Sequence, residues 1–290
     1  MSYPSILVHV DASVRTAERI RIGAELVLRN GGHLTGTATT GVSGLFYLPG
    51  AIGEGNLQLG AMLDMLKERG TFALQEFDRV VGKLGVQSFE KRLVDEEAGP
   101  GVSLQARYSD LVIVGQTNPE EPSPSTAEEF PEYVVMHSGR PVLIIPYIGH
   151  FEHIGQKVLV AWDGSMQATR AVTAAIPLLK QARQVQLVVF NPEAKPDVHG
   201  DEPGADIALY LARHGVKVEV VVLTTSEKAS KSGRMDDLDV GNALLSHAAD
   251  CDADLIVMGG YAHSRFRQVL LGGVTNTILT SMTVPILMAH

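Results

Sequence analysis

The stretch that decides the fold reads Asp-Leu-Ile-Val-Met-Gly at residues 254–259, and it runs into a glycine-containing loop. The first half of the chain carries a near copy, Asp-Leu-Val-Ile-Val-Gly, at residues 110–115. A second aliphatic run follows each copy, starting at Pro141 and at Pro285, and both pairs of runs are separated by 144 residues. Because one fixed offset holds across two separated strand-like runs, the sequence predicts two copies of one domain.

Both copies alternate short aliphatic runs with longer amphipathic stretches, which is the pattern of βαβ units in a parallel sheet. We therefore predict an α/β fold of two tandem, doubly wound domains. Each domain is expected to hold a five-stranded, mostly parallel sheet flanked by helices. The domains are predicted at residues 1–148 and 156–290, and the residues between them form the linker.

The hydrophobic periodicity predicts the individual elements. In the second half the predicted strands are Lys157–Trp162, Val185–Phe190, Val216–Leu223, Asp254–Met258 and Pro285–Met288. The predicted helices are Ser165–Arg183, Ala205–His214, Asp237–Asp250 and Gly273–Ser281. In the first half the predicted strands are Ile6–Val10, His33–Thr39, Gln87–Val94, Asp110–Val114 and Val142–Ile145, and a long helix is predicted at Asn56–Gly82.

Composition narrows the class of protein. The chain has 290 residues, of which 45% are hydrophobic and 20% charged, and none of its apolar runs approaches the roughly 18 residues of a membrane span. A net charge of -9 argues against nucleic acid as a partner, because neutralising phosphates requires clustered Lys and Arg. The single cysteine, Cys251, excludes an intrachain disulfide and fits a reducing compartment. No signal segment precedes the first strand, so we expect a cytoplasmic protein.

Ligands of open α/β sheets bind beyond the carboxyl ends of the strands, and two loops of the second half lie there. One loop follows the first strand of that half and runs from Ala161 through Asp163 to Ser165. The other follows the fourth strand, contains His263 and Arg265, and ends at Gly272-Gly273 where a helix should begin. The positive side chains and the amides of a helix N-terminus suit a phosphate group.

At these loops the chain resembles the universal stress protein family, in both halves. Nucleotide-binding members carry glycine, two residues, glycine, nine residues, and then glycine with a serine or threonine. Gly259 and Gly272 match the first and third glycines, whereas Ala262 replaces the second and Gly273 replaces the hydroxyl residue. The resemblance further implies that Asp163 contacts the adenosine part of a nucleotide. It also implies that three more residues line the site: Met258, Val274 and Thr275.

The two departures from the motif have estimable costs. If position 262 requires a left-handed backbone, Ala262 costs about 1–2 kcal/mol relative to glycine. A lost hydroxyl bond to a charged phosphate costs about 1.5–3 kcal/mol. Together these losses weaken a micromolar site to roughly millimolar affinity. The expected ligand is therefore ATP or a related adenine nucleotide, with or without Mg²⁺, or no nucleotide if the pocket is degenerate.

The first half lacks the corresponding loop. After Gly115 it has Glu120 and Glu121 where phosphate oxygens would need donors, and nearby prolines remove backbone N–H groups. Ser125 and Glu128 have the spacing of a capping box, which closes a helix N-terminus. We expect this copy not to bind a nucleotide triphosphate in the same manner. Asp11 is expected to be a strand-end residue rather than a ligand contact.

Two functions stay open, because motifs of efficient catalysis and of a metal site are absent from the sequence. The first is a nucleotide-binding, stress-response regulatory protein with at most weak ATPase activity, and a slow ATP hydrolase is a more distant alternative. The alternative is a scaffold of the same fold that presents its surface to protein partners. The resemblance implies that the last strands of the two copies pair, which makes a dimer within one chain, and a homodimer is also possible. Asp163 has a simpler alternative role, since Asp and Ser are good helix-capping residues.

Overall fold

The computed structural model of the chain describes residues 2–42, 57–121, 129–194, 196–225, 237–260 and 273–290. The chain divides into two compact units, Ser2–Tyr147 and Ile148–His290. Each unit contains five parallel strands in the described ranges, and helices connect successive strands.

The first unit places its earliest strand in the middle of its sheet. Its strands are β1 (Ser5–His9), β2 (His33–Thr39), β3 (Phe89–Val94), β4 (Leu111–Gly115) and β5 (Val142–Ile145). Its described helices are α1 (Thr16–Asn30), α2 (Leu57–Leu84), α3 (Ala98–Ala106) and α4 (Phe130–His137). The strand order is β3-β2-β1-β4-β5, and every neighbouring pair is parallel. The order reverses between β1 and β4, so the crevice of a doubly wound sheet opens there.

The second unit has the same topology. Its strands are β6 (Lys157–Ala161), β7 (Gln184–Phe190), β8 (Glu219–Leu223), β9 (Leu255–Gly259) and β10 (Ile286–Ala289). Its described helices are α5 (Met166–Leu179), α6 (Pro196–His199), α7 (Ala205–Arg213), α8 (Asp237–Asp250) and α9 (Gly273–Ser281). The order is β8-β7-β6-β9-β10, again with parallel neighbours. The prediction of doubly wound, five-stranded α/β sheets is confirmed.

The repeated Asp before the fourth strand of each unit has a structural reason. Asp110 accepts a hydrogen bond from the Ser5 N–H at 2.9 Å, at the start of β1. Asp254 does the same for the start of β6, where its carboxylate accepts the N–H groups of Gly155 and Gln156, both at 2.9 Å. These carboxylates satisfy backbone donors that the strand ladder leaves open, and so fix where the central strand begins.

Two predicted boundaries differ from the structure by three residues or more. The strand predicted from Val216 begins at Glu219, since the Val216 N–H bonds to the Leu211 carbonyl and closes α7, with Gly215 left-handed at φ 80°. The helix predicted to reach Arg183 ends at Leu179. The N–H of Arg183 bonds instead to the carbonyl of Gln156, just before β6.

Among the described residues, none of the helices combines the length and hydropathy needed to cross a bilayer.

Candidate functional site

The turn between β6 and α5 holds the predicted acidic residue. Asp163 Oδ1 accepts the Ser165 N–H at 3.0 Å, and Ser165 Oγ accepts the Ala168 N–H at 3.1 Å, so Ser165 is the N-cap of α5. Gly164 between them is left-handed, with φ 72°. The capping alternative for this turn is therefore correct for Ser165. Asp163 shapes the turn through one oxygen and forms no ion pair with any described residue.

The end of β9 lies directly beside this turn, because β6 and β9 are neighbouring strands. Gly259 is the last residue of β9, and a Cβ atom there would lie 2.5 Å from the Ala168 nitrogen and 2.8 Å from the Gln167 carbonyl carbon. Only glycine lets the first turn of α5 approach the strand so closely. Met258, the preceding residue, is buried at 5% exposure. Gly259 thus has a packing role whether or not a ligand binds.

The predicted helix after the phosphate loop is confirmed as α9, which begins at Gly273. Val274 is half-buried and Thr275 is buried in the first turn. Close packing against α8 fixes this turn, because a Cβ at Gly241 would lie 2.9 Å from Thr277 Cβ and 3.4 Å from the Val274 carbonyl oxygen. Thr277 Oγ1 donates to the Gly273 carbonyl at 2.9 Å, so the helix start is well anchored.

The equivalent acidic residue of the first unit, Asp11, is occupied by its own chain. Arg19 on α1 donates to Asp11 Oδ1 at 2.5 Å, and the hydroxyls of Ser13 and Thr16 donate to the same oxygen at 2.5 and 2.6 Å. The Asp11 and Arg19 side chains are only 9% and 3% exposed. Burial alone would raise the pKa of the Asp11 carboxyl, but the Arg19 guanidinium, with smaller help from His9, holds it well below its usual range.

Arg19 also fills the space beside β4. A Cβ at Gly115 would lie 2.7 Å from Arg19 Nη1, so this glycine makes room for the guanidinium. Glu121, beyond β4, accepts the Val14 N–H at 3.1 Å and links the two loops of the first unit. The carboxylate predicted to oppose a phosphate therefore lies at the β1–α1 turn.

The second unit has a different residue at the position of the arginine that fills the site of the first unit. An offset of 152 residues aligns Asp11 with Asp163 and Ser13 with Ser165. It places Ala171 where the first unit has Arg19. Ala171 is fully buried in α5 and carries no charge, so Asp163 has no internal counter-ion at the corresponding position.

Comparison with known proteins identifies the family. The model of the universal stress protein family matches residues 155–290. Universal stress protein YxiE of Bacillus subtilis is 28% identical over 149 residues, which cover 46% of this chain and 98% of that protein. Universal stress protein Slr1230 of Synechocystis is 25% identical over 54% of this chain and 49% of its own length. The second half of the chain therefore contains a universal stress protein domain.

A solved universal stress protein shares the fold across nearly the whole chain. The crystal structure of a universal stress protein from Archaeoglobus fulgidus matches with a TM-score of 0.68 and 16% sequence identity. The match covers 97% of this chain and 96% of that one. At this identity the likeness establishes the fold alone.

The structure brings together some of the universal stress protein site residues predicted from sequence. Ala161 and Asp163 meet Met258 and Gly259 where β6 and β9 end. Gly273, Val274 and Thr275 form the first turn of α9. Four predicted residues lie outside the described ranges: Ala262, His263, Arg265 and Gly272. The capping box predicted at Ser125 and Glu128 also lies outside them.

Sequence reasoning missed two residues beside these turns. Val198 on α6 packs against the β6–α5 turn of this universal stress protein, since a Cβ at Gly164 would lie 2.2 Å from Val198 Cγ1. Pro196 followed by Asp197 is a helix-start signal that could have located α6. Arg19 was also missed, although aligning the two copies shows the exchange with Ala171.

Proposed function

We propose that this universal stress protein is a cytoplasmic, tandem-domain, stress-response regulator. Its second domain, at residues 156–290, binds ATP or a related adenine nucleotide. Its first domain, at residues 1–148, has a degenerate nucleotide loop and stays empty.

The contrast between Asp163 and Asp11 carries the proposal. Asp11 is neutralised by Arg19, whereas the second unit has Ala171 at the position that aligns with Arg19, and Asp163 has no ion-pair partner among the described residues. An unpaired, half-buried carboxylate is a strong acceptor for the two hydroxyl groups of a ribose. The first domain offers a nucleotide no such acceptor, because the Asp11 carboxylate already accepts hydrogen bonds from four donors of its own chain.

The phosphate end of the ligand would lie toward the start of α9. The first turn of α9 begins at Gly273, so the backbone amide groups of the helix N-terminus and the helix dipole favour an anion. The loop that precedes it contributes His263 and Arg265 by sequence. Mg²⁺ would be carried by the triphosphate, since Mg²⁺ sites of this kind depend on substrate phosphates.

A calorimetric titration of the full chain with ATP tests the proposal. Asp163→Asn keeps the oxygen that accepts the Ser165 N–H but removes the charge, so the turn should survive. Losing a charge-assisted bond costs about 1.5–3 kcal/mol, which predicts roughly 10- to 100-fold weaker binding. The matched control is Asp252→Asn, which removes the same charge from an exposed residue before β9.

The control variant should bind ATP like the parent. If Asp163→Asn also binds like the parent, the adenosine part is not held at this turn. If the parent shows no heat of binding with millimolar ATP, the scaffold alternative holds instead. One observation favours that alternative, because Arg19 already fills the corresponding site of the first domain.

A further inference from the structure

Strands β3 and β8, each an edge strand of its own unit, differ in how their edges are protected. β3 ends the strand order of the first unit and β8 that of the second, within the described residues. β3 carries three charged residues in succession, Glu90, Lys91 and Arg92. Lys91 pairs with Asp78 and Arg92 with Glu90. Charges of this kind protect an edge strand from pairing with another chain.

β8 has none of this protection. It reads Glu-Val-Val-Val-Leu at residues 219–223, with its one charge at the first position. Val222 is 48% exposed, although a valine in a strand usually packs against neighbouring side chains. An apolar, unprotected edge is a template for a further strand. Sequence composition thus distinguishes β8 from β3.

The ladder with β7 fixes which backbone groups of β8 point outward. The Asn191 N–H bonds to the Leu223 carbonyl at 2.9 Å, so Leu223 faces β7. In a parallel pair, alternate residues turn both their N–H and their C=O to the same neighbour. Val221 therefore also faces β7, and Val220 and Val222 direct their amide and carbonyl groups away from the sheet.

We propose that β8 pairs with β8 of a second copy of this chain, antiparallel about a two-fold axis at Val221. This register places Val220 opposite Val222 of the partner subunit, and the symmetry repeats that pair. The four outward N–H groups, two from each copy, then all find carbonyl acceptors. The strand is self-complementary in this register, because three valines face three valines and no like charges are opposed. That symmetry favours a second copy over an unrelated peptide.

The side chains agree with the backbone. Val220 lies against the start of α7, since a Cβ at Gly204 would lie 2.9 Å from Val220 Cγ1. Val222 projects from the same face of the sheet but is left half-exposed. In the proposed register each Val222 lies opposite Val220 of the partner subunit. This contact removes the exposed surface of Val222 from water.

Oligomeric state and cross-linking of the full chain test the proposal together. In solution, light scattering should give twice the chain mass. Val222→Pro removes one outward N–H without touching the bonds to β7, and Val222→Lys adds a protective charge; both should give monomers. The control Leu93→Lys makes the same change at a 38% exposed residue of β3, and should stay dimeric.

Disulfide trapping tests the register. In a Cys251→Ser background, Val221→Cys places two cysteines opposite each other with Cα atoms about 4.5 Å apart, which a disulfide can bridge. Mild oxidation should link the chains. Glu219→Cys is the matched control, because its two copies lie about 13 Å apart and should not link. A monomeric parent, or a dimer that survives both Val222 variants, would overturn the proposal. So would cross-linking through Glu219→Cys but not Val221→Cys.

Discussion

At the scale of single residues, Asp11 and Asp163 show how one exchange changes the role of a carboxylate. In the first unit Arg19 and Asp11 form a buried pair, and Gly115 provides the space for the guanidinium. In the second unit Ala171 replaces the arginine and the carboxylate stays unpaired among the described residues. The first arrangement contributes to stability, and the second leaves an acceptor available to a ligand.

We expect this difference in denaturation experiments. Asp11→Ala leaves the Arg19 charge buried without its partner and should lower the free energy of unfolding by about 3–5 kcal/mol. Asp163→Ala removes one hydrogen bond to the Ser165 N–H but no ion pair with a described residue, and should cost about 1 kcal/mol or less. Urea titrations followed by circular dichroism measure both. The double variant Asp11→Ala/Arg19→Ala should recover part of the loss, and equal costs for the two single variants would contradict the assignment.

His9 makes the stability of the first unit depend on pH. Burial, with a smaller effect of Arg19, lowers the pKa of His9 to about 4, although Asp11 opposes the shift. As pH falls below 6.5, His9 takes up a proton in the unfolded chain but stays neutral in the folded chain. Stability should therefore decrease from pH 6.5 down to about 4, by about 3 kcal/mol in total.

The variant His9→Gln isolates this effect, because glutamine does not titrate. Between pH 6.5 and about 4 the free energy of unfolding of the parent should fall by about 3 kcal/mol relative to that of the variant. Parallel curves would show that His9 can be protonated in the folded state. Asp11 contributes at lower pH, since its depressed pKa gives stability that is lost only below its unfolded value of 3.8.

At the scale of elements, the end of β9 and the start of α5 form one packing unit. Gly259→Ala would place a methyl group 2.5 Å from a backbone nitrogen of α5, which cannot rotate away. We expect a loss of about 1–3 kcal/mol, typical of overpacking. The control Gly82→Ala in α2 has open space around its Cβ and should be slightly stabilising. Thermal unfolding of both variants measures the difference, and an unchanged midpoint for Gly259→Ala would contradict the close approach.

Most strands could be predicted because burial on both faces makes them nearly continuous aliphatic runs. Leu111 to Val114 and Leu255 to Val257 are completely buried, and their predicted positions are correct to within one residue. The ends of the elements were less predictable. At Val216, for example, the backbone N–H bonds to the Leu211 carbonyl at the end of α7, and this bond delays the start of the next strand. Short α6 depends on packing against Gly164, which periodicity does not reveal.

The candidate site could be predicted only in part. The acidic residue and the strand-end glycine follow from the repeat, because both copies preserve them. The repeat does not reveal why the site of the first copy is filled, because Arg19 reaches Asp11 and Gly115 only after α1 folds onto the sheet. Ala262 and Gly272 lie outside the described residues, so the cost assigned to Ala262 stays a prediction.

At the scale of the whole molecule, the two units share a strand order but differ in what their strand ends can accept. Pairing between the last strands of the two copies stays a prediction. In the first unit, one arginine and one glutamate occupy the two loops. In the second, the carboxylate of Asp163 at the corresponding turn has no ion-pair partner among the described residues. We therefore expect one nucleotide for each chain, bound by the second unit.

Hydrogen exchange of the full chain, with and without ATP, tests this central claim most directly. Binding in the second unit should slow exchange at residues 161–168 and 259–275, where the ligand would cover backbone amides. Residues 11–19 and 115–121 of the first unit should exchange at the same rate with and without ATP. Equal protection in both units, or protection confined to the first, would contradict the account.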